Sequence, residues 1–350
     1  DVKTRLDAET FAEAVIKESP KDPFWSSAAR MLLVEGLSRG KRSKLSIKAT
    51  FDRLMITSLS ELKGWLKGTT VEADMENEKT AASVITQLKT EARSLRYLPE
   101  VDSEGFSLRD WVDQQLNTGS SGWLFLPMPE SVKAVASPII AAQIELLATH
   151  ILSKPTNLNR RIWFIIDELP SLPKMPVLTR LLQQGRGYGV ASVLGIQNVS
   201  QLRATYGVDG ANALLGLCSN MIGLRSSDPT TAEYISRRLG KQLRREMSLN
   251  QSHSRGKSSN VSQGQSESIV ERAVVSETTL MHLPDLQGVF SAKGFLHSVT
   301  INVQYKQLIA LNTPWLPVEM TLLGDDLLDV DSDNIDDDMD HVKTHQQWDI

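Results

Sequence analysis

Apolar residues recur at helical spacing through the first hundred positions. Leu6, Phe11, Ala14 and Val15 predict a helix over Asp7 to Lys17, with Asp7 as its cap. Asp22-Pro23 opens a second, with the proline at the first helical position and Trp25, Ala28, Ala29, Leu32 and Leu33 on its apolar face. Further helices are predicted over 48–57, 59–67 and 78–96, with no alternating strand among them, so most of this stretch reads as all-α. Ser107 to Trp111 predicts another short helix.

The texture then changes. Short apolar runs at Trp123–Leu126, Ile162–Ile166, Ala191–Ile196 and Asn220–Leu224 predict strands. Helices are predicted over 130–152, 175–185, 199–205, 209–216 and Pro229–Leu239. Strands alternating with helices of that length predict an α/β fold, a parallel sheet with helices on both faces. Ser248–Ser268 is rich in Ser, Gln, Gly and Asn and predicts a flexible loop whose flanks can pair as a hairpin. A helix near 276–282 and strands at 289–291 and 299–305 follow, with little structure expected beyond Pro317.

Composition adds little until charge is divided along the chain. With 350 residues, 41% of them hydrophobic, the chain is long enough for two or three domains. The net charge of −4 hides an asymmetry: Asp325–Ile350 carries ten aspartates against one lysine, which leaves the preceding residues net positive. A mildly basic body is compatible with a nucleic-acid partner, and the acidic tail with a separate docking role or a spacer. Cys218 is the only cysteine, so a disulfide framework is excluded, and the apolar residues that lead into it predict a buried, unreactive thiol. The six histidines show no metal-ligand spacing. The most apolar long stretch, Val132–Leu152, is interrupted by Pro138, Gln143, Glu145 and His150, and no membrane span is expected.

The chemistry concentrates at one strand end. Ile162–Ile166 runs straight into Asp167-Glu168, and the C-terminal ends of parallel strands are where open α/β sheets bind ligands. This is the pattern of a nucleotide hydrolase's second motif, in which one carboxylate helps hold Mg²⁺ and the next polarises the attacking water. Gln197 ends the next strand on the same edge, as a γ-phosphate sensor or as a turn glutamine beginning the next helix. Arg186, in a glycine-rich turn, is an arginine-finger candidate, with Arg225 as its competitor; either reads equally as a surface arginine. The companion phosphate loop GxxxxGK[ST] does not occur in the 350 residues. Gly36–Ser43 only approximates it: three residues separate the glycines, Arg42 precedes the serine, and the segment follows a helix rather than a strand. It reads as a helix C-terminus with glycine at the stop, whose cations through Lys48 are candidates for contact with nucleic-acid backbone.

The ordered set of strings KDPFW (21–25), SLRDW (107–111), GWLFL (122–126), RRIWFIIDELPSL (160–172), GRGYGVASVLGIQNVSQLRATYG (185–207), RSSDPTT (225–231) and LPDLQG (283–288) resembles the type IV coupling proteins of bacterial conjugation, the TraD/TrwB family. The resemblance covers about residues 8–306. It implies a RecA-like nucleotide-binding domain from 1–20 and 99–317, an inserted all-α domain over 20–98, and an acidic tail over 318–350. It implies ATP and Mg²⁺ as cofactors, with Asp167 serving Mg²⁺, Glu168 activating water, Gln197 sensing the γ-phosphate and Arg186 acting on a neighbouring subunit. The implied protein is a ring-forming, hexameric DNA motor at the cytoplasmic face of the bacterial inner membrane. Its implied partners are single-stranded DNA with its relaxase and the type IV secretion channel. The alternatives are a non-catalytic adaptor between DNA cargo and secretion machinery, and another FtsK- or RecA-like motor. Family members carry a membrane anchor and a phosphate loop ahead of the matching region, so the chain reads as a piece of a longer protein, expected to be monomeric and inactive alone.

Overall fold

A computed structural model describes residues 1–19, 22–98, 106–119, 121–254, 260–294 and 298–306. Residues Asp1–Val303 form one compact unit; of a second unit, Gln304–Ile350, only residues 304–306 are described, and the acidic tail lies outside the described residues.

The helical expectation for the first hundred residues holds. Helix α1 (Arg5–Val15) is capped by Thr4, not Asp7: the Thr4 side chain accepts from the Asp7 N–H, while the Asp7 carboxylate accepts from the Thr4 N–H. Asp7 is therefore the third helical residue of a capping box. Helix α2 (Pro23–Arg42) begins with proline at its first position as expected, but it runs straight through Gly36 and Gly40. These glycines do not stop the helix. A Cβ on Gly40 would lie 2.0 Å from Thr50 Oγ1, and one on Gly36 would lie 2.6 Å from a Leu54 methyl. Both let α3 (Ile47–Ile56) approach the α2 backbone. The nearby cations are used internally: Arg39 and Lys41 donate to the carbonyls of Lys67 and Lys3, and Lys48 pairs with Asp52 at 3.3 Å.

Helices α4 (Leu59–Trp65), α5 (Glu72–Glu76) and α6 (Glu78–Glu91) complete the helical region, followed by a 3-10 turn over Arg93–Tyr97. Its core includes Phe11, Leu32, Phe51, Leu62 and Leu88 and continues into Ala142 and Leu146. Those two lie on α8 (Lys133–Leu152), which follows α7 (Leu108–Thr118) in the chain. Helix α8 is long and apolar enough to cross a membrane, contrary to the expectation from sequence. Here it is a core helix, with Ile140 and Ile144 buried in one cluster of the unit and Leu147 and Ile151 in another.

The α/β half holds β1 (Ile162–Ile166), α9 (Pro176–Gln184), β2 (Val190–Leu194), α10 (Val199–Tyr206), α11 (Val208–Leu217), β3 (Met221–Leu224) and α12 (Pro229–Leu239). Strands β1 and β2 pair in parallel, Ile162 opposite Val190 and Ile166 opposite Leu194. Alternation along β1 sends Phe164 and Ile166 into the core with α8 to α11, while Trp163 and Ile165 stay 61% and 58% exposed. The described residues thus cover one face of β1, where the uninterrupted apolar run predicts burial on both. Trp123–Leu126 is not assigned as a strand, and Trp123 and Phe125 stack at 5.9 Å while 73% and 75% exposed.

Two long strands follow, β4 (Lys241–Ser254) and β5 (Asn260–Ala273), paired antiparallel from Lys241–Ala273 to Ser254–Asn260. The expected Ser-rich loop at 248–268 is therefore mostly a hairpin. Its polar tract hid the strands because ladder bonds are backbone bonds and need no apolar alternation, while Lys241–Glu271 and Arg272–Glu246 tie its base at 3.0 and 2.8 Å. After α13 (Glu277–Met281), β6 (Gln287–Ser291) pairs antiparallel with both β3 and β7 (Val299–Asn302). Local βα alternation had placed β3 in a parallel sheet; its partner instead comes from a distant part of the chain and runs the other way.

Candidate functional site

Asp167 and Glu168 emerge at the C-terminal end of β1, and the chain then closes tightly on β2. Gly195 donates to Ile166 O at 2.7 Å, and Leu169 N–H donates to Gly195 O at 2.9 Å. A Cβ at Gly195 would sit 1.8 Å from the Asp167 carbonyl oxygen, so only glycine lets the two strand ends meet this closely. That contact brings the Gln197 backbone N–H toward the Glu168 carboxylate, where it favours the charged form. Asp167, Glu168 and Gln197 therefore share one edge, with the Asp167 and Gln197 side chains exposed and Glu168 half-buried.

Glu168 carries the unusual environment. Burial raises its pKa above the ordinary carboxylate value, the Asp167 charge pushes the same way, and the Gln197 hydrogen bond and the more distant Lys133 oppose them. Its Oε1 is buried and has no hydrogen-bond partner. An orphaned carboxylate oxygen beside a second, exposed carboxylate fits a site that takes an ordered water on one group and a divalent cation on the other. Among the described residues no three metal-ligating side chains cluster, so a cation here would take its remaining ligands from phosphate and water.

The edge is braced from α12. Thr231 Oγ1 accepts the Val199 N–H at 2.9 Å and donates to Asp228 Oδ2 at 2.6 Å, and Ser200 donates to the same carboxylate at 3.3 Å. This fixes the start of α10, two residues after Gln197. Sequence reasoning assigned no role to Asp228 or Thr231, although both fall in the RSSDPTT string; it also passed over Lys133.

The two arginine candidates separate. Arg186 is exposed on a 3-10 turn, Gly185–Tyr188, closed by Gly189 N–H donating to Arg186 O at 3.1 Å. Gly189, at φ +76°, would with any side chain strike the Arg160 carbonyl. Gly189 O accepts from Ile162 N–H, which places the turn at the N-terminal end of β1. Arg186 thus lies across the strand pair from Asp167–Glu168, roughly 15 Å away at 3.3 Å per residue. It does not join its own chain's carboxylates. Arg225 is engaged elsewhere, paired with Asp285 at 2.7 Å and donating to Leu283 O. Cys218 is partly buried, burial raises its pKa, and its thiol donates to Leu214 O at 3.5 Å.

With this geometry in view, the comparisons converge. The family described as "Type IV secretion-system coupling protein DNA-binding domain" matches residues 1–304. Coupling protein TraD of Escherichia coli (strain K12) is 28% identical over 313 residues, covering 87% of this chain and 43% of that protein. Plasmid coupling protein TrwB, solved with ADP and Mg²⁺, superposes with a TM-score of 0.73 at 27% identity, over 89% of this chain and 71% of that one. TrwB bound to a non-hydrolysable ATP analogue gives the same score, identity and coverage. The chain spans less than half the length of TraD. Its fold is accordingly α/β of the RecA-like kind, and the chain belongs to the type IV secretion-system coupling proteins.

Proposed function

We propose that this chain is a cytoplasmic portion of an ATP-driven DNA motor that recruits a relaxase–DNA complex to a type IV secretion channel at the cytoplasmic face of the bacterial inner membrane. The observation that carries the catalytic reading is the Glu168 carboxylate: half-buried, raised in pKa, with one oxygen unpaired at the open strand edge. Mg²⁺·ATP, when bound, supplies the phosphoryl group and neutralises its charge. Asp167 offers an exposed carboxylate to the cation. Glu168 orients a water and takes its proton, for which a pKa nearer neutrality suits it. Gln197, on the same strand edge as Glu168, senses the terminal phosphate on this reading.

Arg186 supports a ring. At the opposite end of the strands it is out of reach of its own Asp167–Glu168 pair, so a finger role requires the next subunit in a head-to-tail assembly, and a hexamer is the form we propose. The exposed Trp163 and Ile165 support a further element of the same nucleotide-binding module covering that face, one that brings the phosphate loop. On this reading the 350 residues alone do not turn over ATP. The helical region over 20–98 forms the inserted all-α domain.

The test is Glu168→Gln in the full-length protein. ATP turnover is expected to fall by at least about 10²-fold, as for loss of a positioned general base, with nucleotide binding retained. Turnover equal to wild type would overturn the assignment.

A further inference from the structure

Away from the carboxylate edge, α10, α11 and α12 enclose a cleft of about 230 Å³. That volume is several times the roughly 30 Å³ share of one water, enough for a phosphate group and its remaining hydration. Three arginines line it: Arg203 from α10, and Arg237 and Arg238 from the last turn of α12. Asn212 on α11 and Thr230 and Tyr234 on α12 add neutral polar groups.

The three cations are not equivalent. Arg238 is structural: it donates to the carbonyls of Leu215 and Cys218, closing the C-terminal end of α11. Arg237 is exposed and pairs with Glu233, the only acid lining the cleft. Arg203 is partly buried, its Nε has no hydrogen-bond partner, and it forms no ion pair among the described residues. A buried Nε–H without an acceptor loses its hydration and gains nothing in return. One acid against three arginines leaves the cleft net positive.

We infer that this cleft is a phosphate-binding site, in which Arg203 and Arg237 hold the oxyanion and Arg238 shapes the wall. The guanidinium fork matches phosphate oxygens with two parallel bonds, which supplies the acceptor that Arg203 Nε lacks. The phosphate comes either from the backbone of a single nucleic-acid strand or from a free nucleotide, and the two are separable by experiment. The site is independent of ATP turnover at Asp167–Glu168, and its test involves none.

Two variants disfavour a bound anion without touching the helix closure made by Arg238. One is the double change Arg203→Gln with Arg237→Gln. The other is Gly216→Glu, which introduces an acid at a cleft position where an added Cβ meets nothing within 4 Å. Lys89→Gln, an exposed cation on α6, controls for net charge. Binding of a labelled single-stranded oligonucleotide is measured by anisotropy across salt, and thermal stabilisation by inorganic phosphate and by ATP is measured alongside. If strand phosphate is the ligand, both cleft variants weaken the oligonucleotide by about tenfold, and the double variant reduces the slope of log K against log salt by about one, as expected for losing one to two backbone contacts. If free phosphate is the ligand, oligonucleotide binding is unchanged but stabilisation by phosphate or ATP disappears in both variants. Variants indistinguishable from Lys89→Gln in every measurement would overturn the site.

Discussion

Glu145 shows how a single carboxylate can make stability depend on pH. It sits buried on α8, accepts the Val177 N–H at 3.1 Å at the start of α9, and faces Arg180, Glu13 and Tyr206. Burial dominates and pushes its pKa up to about 7, against the Val177 bond and Arg180. The unfolded chain releases this proton near pH 4.5 and the folded chain near 7, so stability falls as pH rises between those values and stays lower above them. Glu145→Gln keeps an acceptor for Val177 but no charge. Its unfolding free energy in urea titrations is expected to be nearly independent of pH through this window and to exceed that of wild type at pH 8 by on the order of 2 kcal/mol. The opposite sign holds at Asp7. Burial works to raise its pKa, but hydrogen bonds from Arg109 and Thr4 outweigh it and hold it at about 2. Arg109 donates to Asp7 at 2.8 Å across α7 and α1, and both side chains are buried. Arg109→Met strands a buried charge, with an expected loss of about 3 kcal/mol in chemical unfolding above pH 5, shrinking as pH falls toward 2.

At the scale of elements, close approach decides which residues are tolerated. Alanine in place of Gly40 gains roughly 1 kcal/mol of helix propensity, but its methyl would lie 2.0 Å from Thr50 Oγ1, and such overpacking costs typically 1–3 kcal/mol. Gly40→Ala is therefore expected to lower the thermal midpoint, and Gly40→Ala with Thr50→Ala to recover it. These glycines looked like a helix stop because sequence spacing registers a glycine without registering what packs on it. Helix starts were more legible: Pro23, Ser107 and Pro229 open helices in the structure as their residue types predict. Capping is local chemistry, carried within three residues, whereas the register of α2 on α3 depends on side chains ten or more positions apart. The long hairpin was obscured for a related reason, its strands being matched by pairing rather than by composition.

For the whole molecule, the bare side of β1–β2 is the feature with the widest consequence. Trp163, Ile165 and Val193 remain at least half exposed or nearly so on one side of the paired strands, in register across the pair. An apolar patch of this kind binds hydrophobic dyes and partners. Ile165→Lys with Val193→Lys is expected to reduce dye binding by this chain while leaving its thermal midpoint within a few degrees, because substitutions at largely exposed positions cost little. An unchanged dye signal would mean that the patch is not what the dye reads.

The division between chain and fold is clearest at the candidate site. Asp167, Glu168 and Gln197 were legible from sequence because an apolar run ending in acids reports a strand end, and two successive strand ends of a parallel pair share an edge by geometry alone. Family membership was legible for a different reason, since ordered short strings persist across the whole length. Tertiary structure alone decided that Glu168 has an unpaired oxygen, that Arg186 stands at the far end of the strands, and that Arg225 is spent on Asp285. It alone gathered three arginines from α10 and α12 around one cleft. Sequence spacing reports period and local capping, which are short-range, whereas burial, pairing partners and orphaned polar atoms arise from contacts between segments that the linear order does not relate.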